Sequence, residues 1–121
     1  VVISHSLGTM IAYDVLSEPR FAGRALPLLV TLGAPLGYTE IQDVIARPLR
    51  IPAPVQLWAN FADQLDVVTL DTTLADDFGP DPRIVDTRVD NPSPNNHDSG
   101  GYLRASQVRS RVAAALPAGV V

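Results

Sequence analysis

The chain contains no cysteine, which excludes disulfide bonds and thiolate metal sites and leaves the compartment open. Basic residues are few. Nine Lys and Arg stand against 13 Asp and Glu, for a net charge of -4, and they are scattered along the chain, which argues against a nucleic-acid partner. Long hydrophobic runs are also missing. Proline and glycine break every apolar stretch well short of the roughly 18 residues that a spanning helix needs, so neither a membrane span nor a signal peptide is read. There is no repeat or low-complexity segment. The Asp- and Pro-rich stretch from Asp71 to Pro82 holds Asp71, Asp76, Asp77 and Asp81. It lacks the glycine-centred loop and closing glutamate of the common calcium hand, so these are read as solvated loop charges. No metal site and no cofactor is expected.

What is present is a composition that is 46% hydrophobic, with Val-, Leu- and Ala-rich runs that alternate between strand and helix patterns, as in an α/β sheet. Strands are expected at about Val1 to Ser4, Pro27 to Leu32, Val55 to Phe61 and Arg83 to Val89. A helix is expected from Leu7 until Pro19 removes the amide that a longer one would need. A second is expected from about Tyr102 to Leu116, amphipathic, with Leu103, Val108, Val112 and Leu116 on its apolar side and Arg104, Arg109 and Arg111 in solvent. The stretch from Asp71 to Pro82 reads as a loop inside one domain.

The most specific signal is the opening "VVISHSLGTM". The β-branched Val1, Val2 and Ile3 have the pattern of a strand buried on both faces in a parallel sheet, and it runs into the helix through Ser4-His5-Ser6-Leu7-Gly8. So sharp a turn forces its middle residue into strained backbone geometry, and the small neighbours Ser4 and Gly8 let strand and helix approach. The strain lifts the Ser6 hydroxyl clear at the carboxyl edge of the sheet, with the first helical amides beneath it to meet an oxyanion. This stretch resembles the nucleophile elbow, usually G-x-S-x-G, of the α/β-hydrolase family, with Ser4 in place of the first glycine.

A serine needs a base to become a nucleophile, and the chain has two histidines. His5 adjoins Ser6, and consecutive side chains diverge, so it can hardly turn back onto that hydroxyl. His97 remains, in the loop-forming stretch "NPSPNNHDSGGYL". An acid must orient it. After the third strand, "ADQLDVV" offers Asp63 and Asp66. Asp66, followed by Val67 and Val68, resembles the family's pattern of an acid before an apolar anchor, while Asp63 lies nearer the strand end and stays open as the alternative acid. Ser6, Asp66, His97 is also the chain order of that family's triad. In "LGAPLG", Gly33, Pro35 and Gly37 are read as backbone shape only.

The resemblance implies an α/β fold, the C-terminal part of an α/β-hydrolase-type, mostly parallel sheet with flanking helices. Residues 1–121 would be one partial domain, since an elbow strand is expected in mid-sheet and every expected strand here follows it. The earlier strands and the loop that gives a second oxyanion amide would lie outside it. The backbone amide of Leu7 is then the one oxyanion donor named, the isolated chain would hydrolyse little, and the open edge of the first strand invites self-association. The implied activity is hydrolysis of a small-molecule carboxylic ester or related acyl compound: Ser6 attacks, His97 moves the proton and Asp66 orients His97. Thioester cleavage and acyl transfer would use the same triad. The alternative is a non-catalytic hydrolase-fold fragment or interaction module.

Overall fold

In the computed structural model, which describes residues 1–92 and 94–119, the strands are β1 (Val2–His5), β2 (Leu29–Leu32), β3 (Trp58–Ala62) and β4 (Ile84–Arg88). They form one four-stranded sheet in the order β1-β2-β3-β4, every pairing parallel. The chain is an α/β structure. A parallel sheet needs a crossover after each strand; here the crossovers carry α1 (Gly8–Leu16) and the short α2 (Thr39–Gln42), while α3 (Ser99–Arg104) and α4 (Ser106–Ala115) follow β4.

Both sheet faces are covered, which is why the central strands read as continuous apolar runs. Successive residues point to opposite faces. On one face Leu29, Trp58 and Ile84 pack with Tyr13 of α1 and with Leu36, Leu74 and Phe78 from the loops. Tyr13, Trp58 and Phe78 form an aromatic cluster with ring centroids 5.1 to 6.0 Å apart. On the other face Val30, Leu32, Ala59 and Phe61 pack with Tyr102 of α3 and Val108 of α4. A polar line crosses the first face in register: Trp58 Nε1 donates to Thr31 Oγ1, Thr31 Oγ1 to Asn60 Oδ1, and Asn60 Nδ2 to Asp86 Oδ1. Each buried polar group there has a partner, which removes the cost of burying it.

The expected strands are found, with shifted ends. Pro27 lacks a ladder donor, so β2 begins at Leu29, preceded by a single bridge between Leu26 and Val55. The C-terminal helix differs more. It starts at Ser99, where the Asp98 carboxylate caps the Gly101 amide at 2.7 Å, and it breaks at Ala105, whose ψ of 132° serves as the end of α3 and the start of α4. The break changes the helical phase, so Val108 is buried while Leu103, expected on the apolar side, is 46% exposed. The stretch from Asp71 to Pro82 is irregular, yet it buries Leu74 and Phe78. Two of its charges make local contacts and one a distant contact: Asp71 accepts from Thr73, Asp81 pairs with Arg83, and Asp77 accepts from Gln42, 35 residues away. The first strand is not buried on both faces as expected: β1 forms one edge of the described sheet, no residue of it is fully buried, and Ile3 is 43% exposed. Among the described residues no helix is long and apolar enough to cross a membrane.

Candidate active site

Every strand ends at the same side of a parallel sheet, and the loops that leave those ends converge there. Ser6 follows β1, Gly33 follows β2, Asp66 lies in the loop after β3, and His97 lies in the loop between β4 and α3.

Ser6 has a φ of +56°, a left-handed conformation that costs a residue with a Cβ on the order of 1–3 kcal/mol and persists only where its surroundings hold it. They hold it from both sides. The Ser6 amide continues the β1–β2 ladder by donating to the Leu32 carbonyl at 3.0 Å, and the Ser6 carbonyl accepts from both the amide (3.0 Å) and the hydroxyl (2.6 Å) of buried Thr9. Ser4 is tied down separately, its hydroxyl donating to the Val30 carbonyl at 3.1 Å. Leu7 begins α1 without a side-chain cap, and among the described residues its amide has no protein acceptor. An unpaired amide at the positive end of a helix, next to the Ser6 hydroxyl, can receive an oxyanion.

The three sequence candidates meet. Ser6 Oγ lies 2.8 Å from His97 Nε2, and His97 Nδ1 lies 2.8 Å from Asp66 Oδ2. An ionised carboxylate only accepts, so Nδ1 carries the ring proton and Nε2 offers its lone pair to the Ser6 hydroxyl. The Asp66 side chain is 0% exposed and that of His97 22%, so the carboxylate is dry while the imidazole is partly open to solvent. Asp66 Oδ1 accepts from the Val68 amide at 3.0 Å, and Oδ2 accepts from the Tyr102 hydroxyl at 2.6 Å as well as from His97. The alternative acid, Asp63, is occupied elsewhere. Its oxygens accept from the amides of Leu65 (2.7 Å) and Asn91 (2.5 Å), which ties the loop after β3 to the loop after β4.

Three further residues belong to the site. His5 does diverge from the Ser6 hydroxyl, but its Nε2 donates to the His97 carbonyl at 2.6 Å, and its ring lies 4.5 Å from the His97 ring. The signal for it is position alone: the last residue of β1 projects from the edge where the loops converge. Tyr102 is buried, its hydroxyl accepting from the Asp63 amide at 3.0 Å and donating to Asp66. Burial first, and then the Asp66 carboxylate, hold its ionisation well above the usual tyrosine range.

Gly33 is more than backbone shape. Its φ is +55°, and a Cβ there would come within 2.8 Å of Asp66 Oδ2 and 2.9 Å of His97 Nδ1. The acid and base therefore pack against bare backbone. Gly33→Ala is expected to push the pair apart and break the 2.8 Å hydrogen bond between His97 Nδ1 and Asp66 Oδ2. It should also destabilise the fold by about 1–2 kcal/mol through the left-handed φ. The NMR signal of the His97 Nδ1 proton and the melting temperature, measured on one preparation, check this; an unchanged signal in a folded alanine variant would remove Gly33 from the site.

No protein-family model, curated protein or solved structure matches the chain.

Proposed function

We propose that this chain is a serine hydrolase of the α/β-hydrolase type that cleaves carboxylic esters or related acyl compounds through an acyl-enzyme. One observation carries the reading: a serine held at φ +56° at the carboxyl end of β1, with hydrogen bonds of 2.8 Å from its hydroxyl to His97 and of 2.8 Å from His97 to buried Asp66. Such strain is retained where it has a use.

The steps follow from the donors and acceptors. Ser6 Oγ attacks the acyl carbon as its proton passes to His97 Nε2, the carbonyl π pair moves onto oxygen, and the Leu7 amide donates to that oxyanion. Asp66 stays ionised and stabilises the imidazolium through Nδ1–H. The tetrahedral intermediate collapses, the bond to the leaving alkoxide breaks, and His97 gives it the proton. Water then repeats the sequence on the acyl-Ser6 ester, with His97 as base, and releases the acid. Leu7 beside Ser6, and Leu65 and Val67 flanking Asp66, expose their side chains; an apolar acyl or alcohol group would cover them, in keeping with a small-molecule acyl substrate.

Mixing the chain with a p-nitrophenyl ester tests the reading. With the Leu7 amide as the one oxyanion donor identified among the described residues, the expected result is slow nitrophenolate release together with a protein species heavier by one acyl group, located on Ser6. Release without acyl-protein would replace the covalent route with general-base attack by water, and no release with any acyl chain length would count against hydrolysis.

The same reading includes self-association through the β1 edge. Among the described residues β1 has a strand neighbour on one side only, and exposed Val1, Ile3, Leu7 and Ile11 lie along or just after it. Open main-chain groups beside apolar side chains form a template for another strand. Size-exclusion chromatography is expected to give a dimer or larger species, shifted toward monomer by Ile3→Lys. A monomeric wild-type chain at tens of micromolar would reject the association.

A further inference from the structure

We infer that Tyr102 is a positioning residue that sets how tightly Asp66 holds the His97 imidazolium, by sharing with His97 the single carboxylate oxygen Oδ2. The Tyr102 hydroxyl donates to Asp66 Oδ2 at 2.6 Å, and His97 Nδ1 donates to the same atom at 2.8 Å. The other oxygen, Oδ1, is engaged by the Val68 amide. Two donors on one oxygen divide its charge between them, so each weakens the bond made by the other. The phenol is in turn polarised from behind, because its oxygen accepts the Asp63 amide at 3.0 Å. A chain of donors thus runs from the Asp63 backbone through Tyr102 to Asp66, and it draws charge away from the histidine.

The geometry gives the effect its direction. With the hydroxyl removed, Oδ2 turns wholly to His97, and the charged imidazolium gains relative to the neutral base. A stronger donor at residue 102 does the opposite. Ionisation of the phenol does not enter, since burial and the carboxylate keep it protonated. The other ionisable groups around the pair are few. His5 faces the His97 ring from β1, Asp63 is bound to the Leu65 and Asn91 amides, and Asp98 is held by the Gly101 amide with Arg104 at 3.7 Å. None of them donates to Oδ2.

The catalytic part of this inference rests on the hydrolase reading; the hydrogen-bond competition does not, and the test separates them. In the full chain, Tyr102→Phe and a difluorotyrosine placed at residue 102 alone are compared with wild type by NMR titration of the two histidines, assigned with His5→Gln. The same proteins are assayed for p-nitrophenyl ester hydrolysis across pH. In Tyr102→Phe the His97 titration moves to higher pH and the Nδ1 proton moves downfield. The acid limb of kcat/KM follows, with a roughly tenfold loss on the acid side for one hydrogen bond's worth of change in the charged form. Difluorotyrosine, a stronger donor of nearly the same shape, moves all three the other way and answers the question even where the phenylalanine variant folds poorly. Opposite movements by NMR without hydrolysis would keep the competition and reject the enzyme. A uniform loss of rate with neither the titration nor the limb moved would reduce Tyr102 to packing and overturn the inference.

Discussion

Ser6→Ala is expected to abolish nearly all ester hydrolysis, a loss on the order of 10³-fold or more, because nucleophile, base and acid act as one unit and the others have nothing to activate without it. Stability should change little. Alanine keeps the Cβ, so it bears the same left-handed φ, and the contacts that hold the turn are made by the Ser6 backbone to Leu32 and Thr9 rather than by its hydroxyl. Progress curves with a p-nitrophenyl ester, alongside thermal melts, provide the check. Residual hydrolysis near the wild-type rate would move the nucleophile elsewhere. Ser4 would be the first alternative, although its hydroxyl is already committed to the Val30 carbonyl.

Asp66→Asn is expected to cost nearly as much, on the order of 10³- to 10⁴-fold, because an amide cannot stabilise the imidazolium and one of its orientations presents a donor to His97 Nδ1 and imposes the wrong tautomer. Asp63→Asn should behave differently. Its carboxylate holds the Leu65 and Asn91 amides and, among the described residues, makes no hydrogen bond with His97 or Ser6. Weakening those buried bonds should cost about 1–3 kcal/mol of stability, with a much smaller fall in turnover. Steady-state rates and denaturant midpoints for both variants separate the roles. The reverse ranking, with turnover lost in the Asp63 variant and kept in the Asp66 variant, would transfer the acid to Asp63.

How much of this could be read from the sequence depends on the range of the cause. The Ser6 turn is local: a β-branched run, small neighbours and a helical pattern lie within one short stretch, and the backbone conformation follows from them. His97 is reached by elimination, since the chain holds two histidines. Asp66 and Asp63 could not be separated outright, because what separates them is which carboxylate the Asn91 amide claims, a contact between the loops after β3 and β4. Tyr102 was legible only as the start of an amphipathic helix, and its place in the site arises when α3 brings the hydroxyl to Asp66, 36 residues away in sequence. Gly33 shows the same limit. Its positive φ could be suspected from a turn-forming stretch, but the need for bare backbone comes from Asp66 and His97 packing against it. The break at Ala105 left no mark in the apolar pattern, which is why Leu103 was expected on the buried side.

On the proposed hydrolase reading, His97 and Asp66 activate Ser6 above every other hydroxyl in the chain. A fluorophosphonate probe, which reacts with activated serines, tests this directly when the adduct is mapped by peptide mass spectrometry in wild type, His97→Ala and Ser6→Ala. One adduct is expected, on Ser6, formed rapidly in wild type, slowed by orders of magnitude without His97, and absent in the Ser6→Ala variant. An adduct on a different residue, or equal labelling of Ser6 with and without His97, would contradict it.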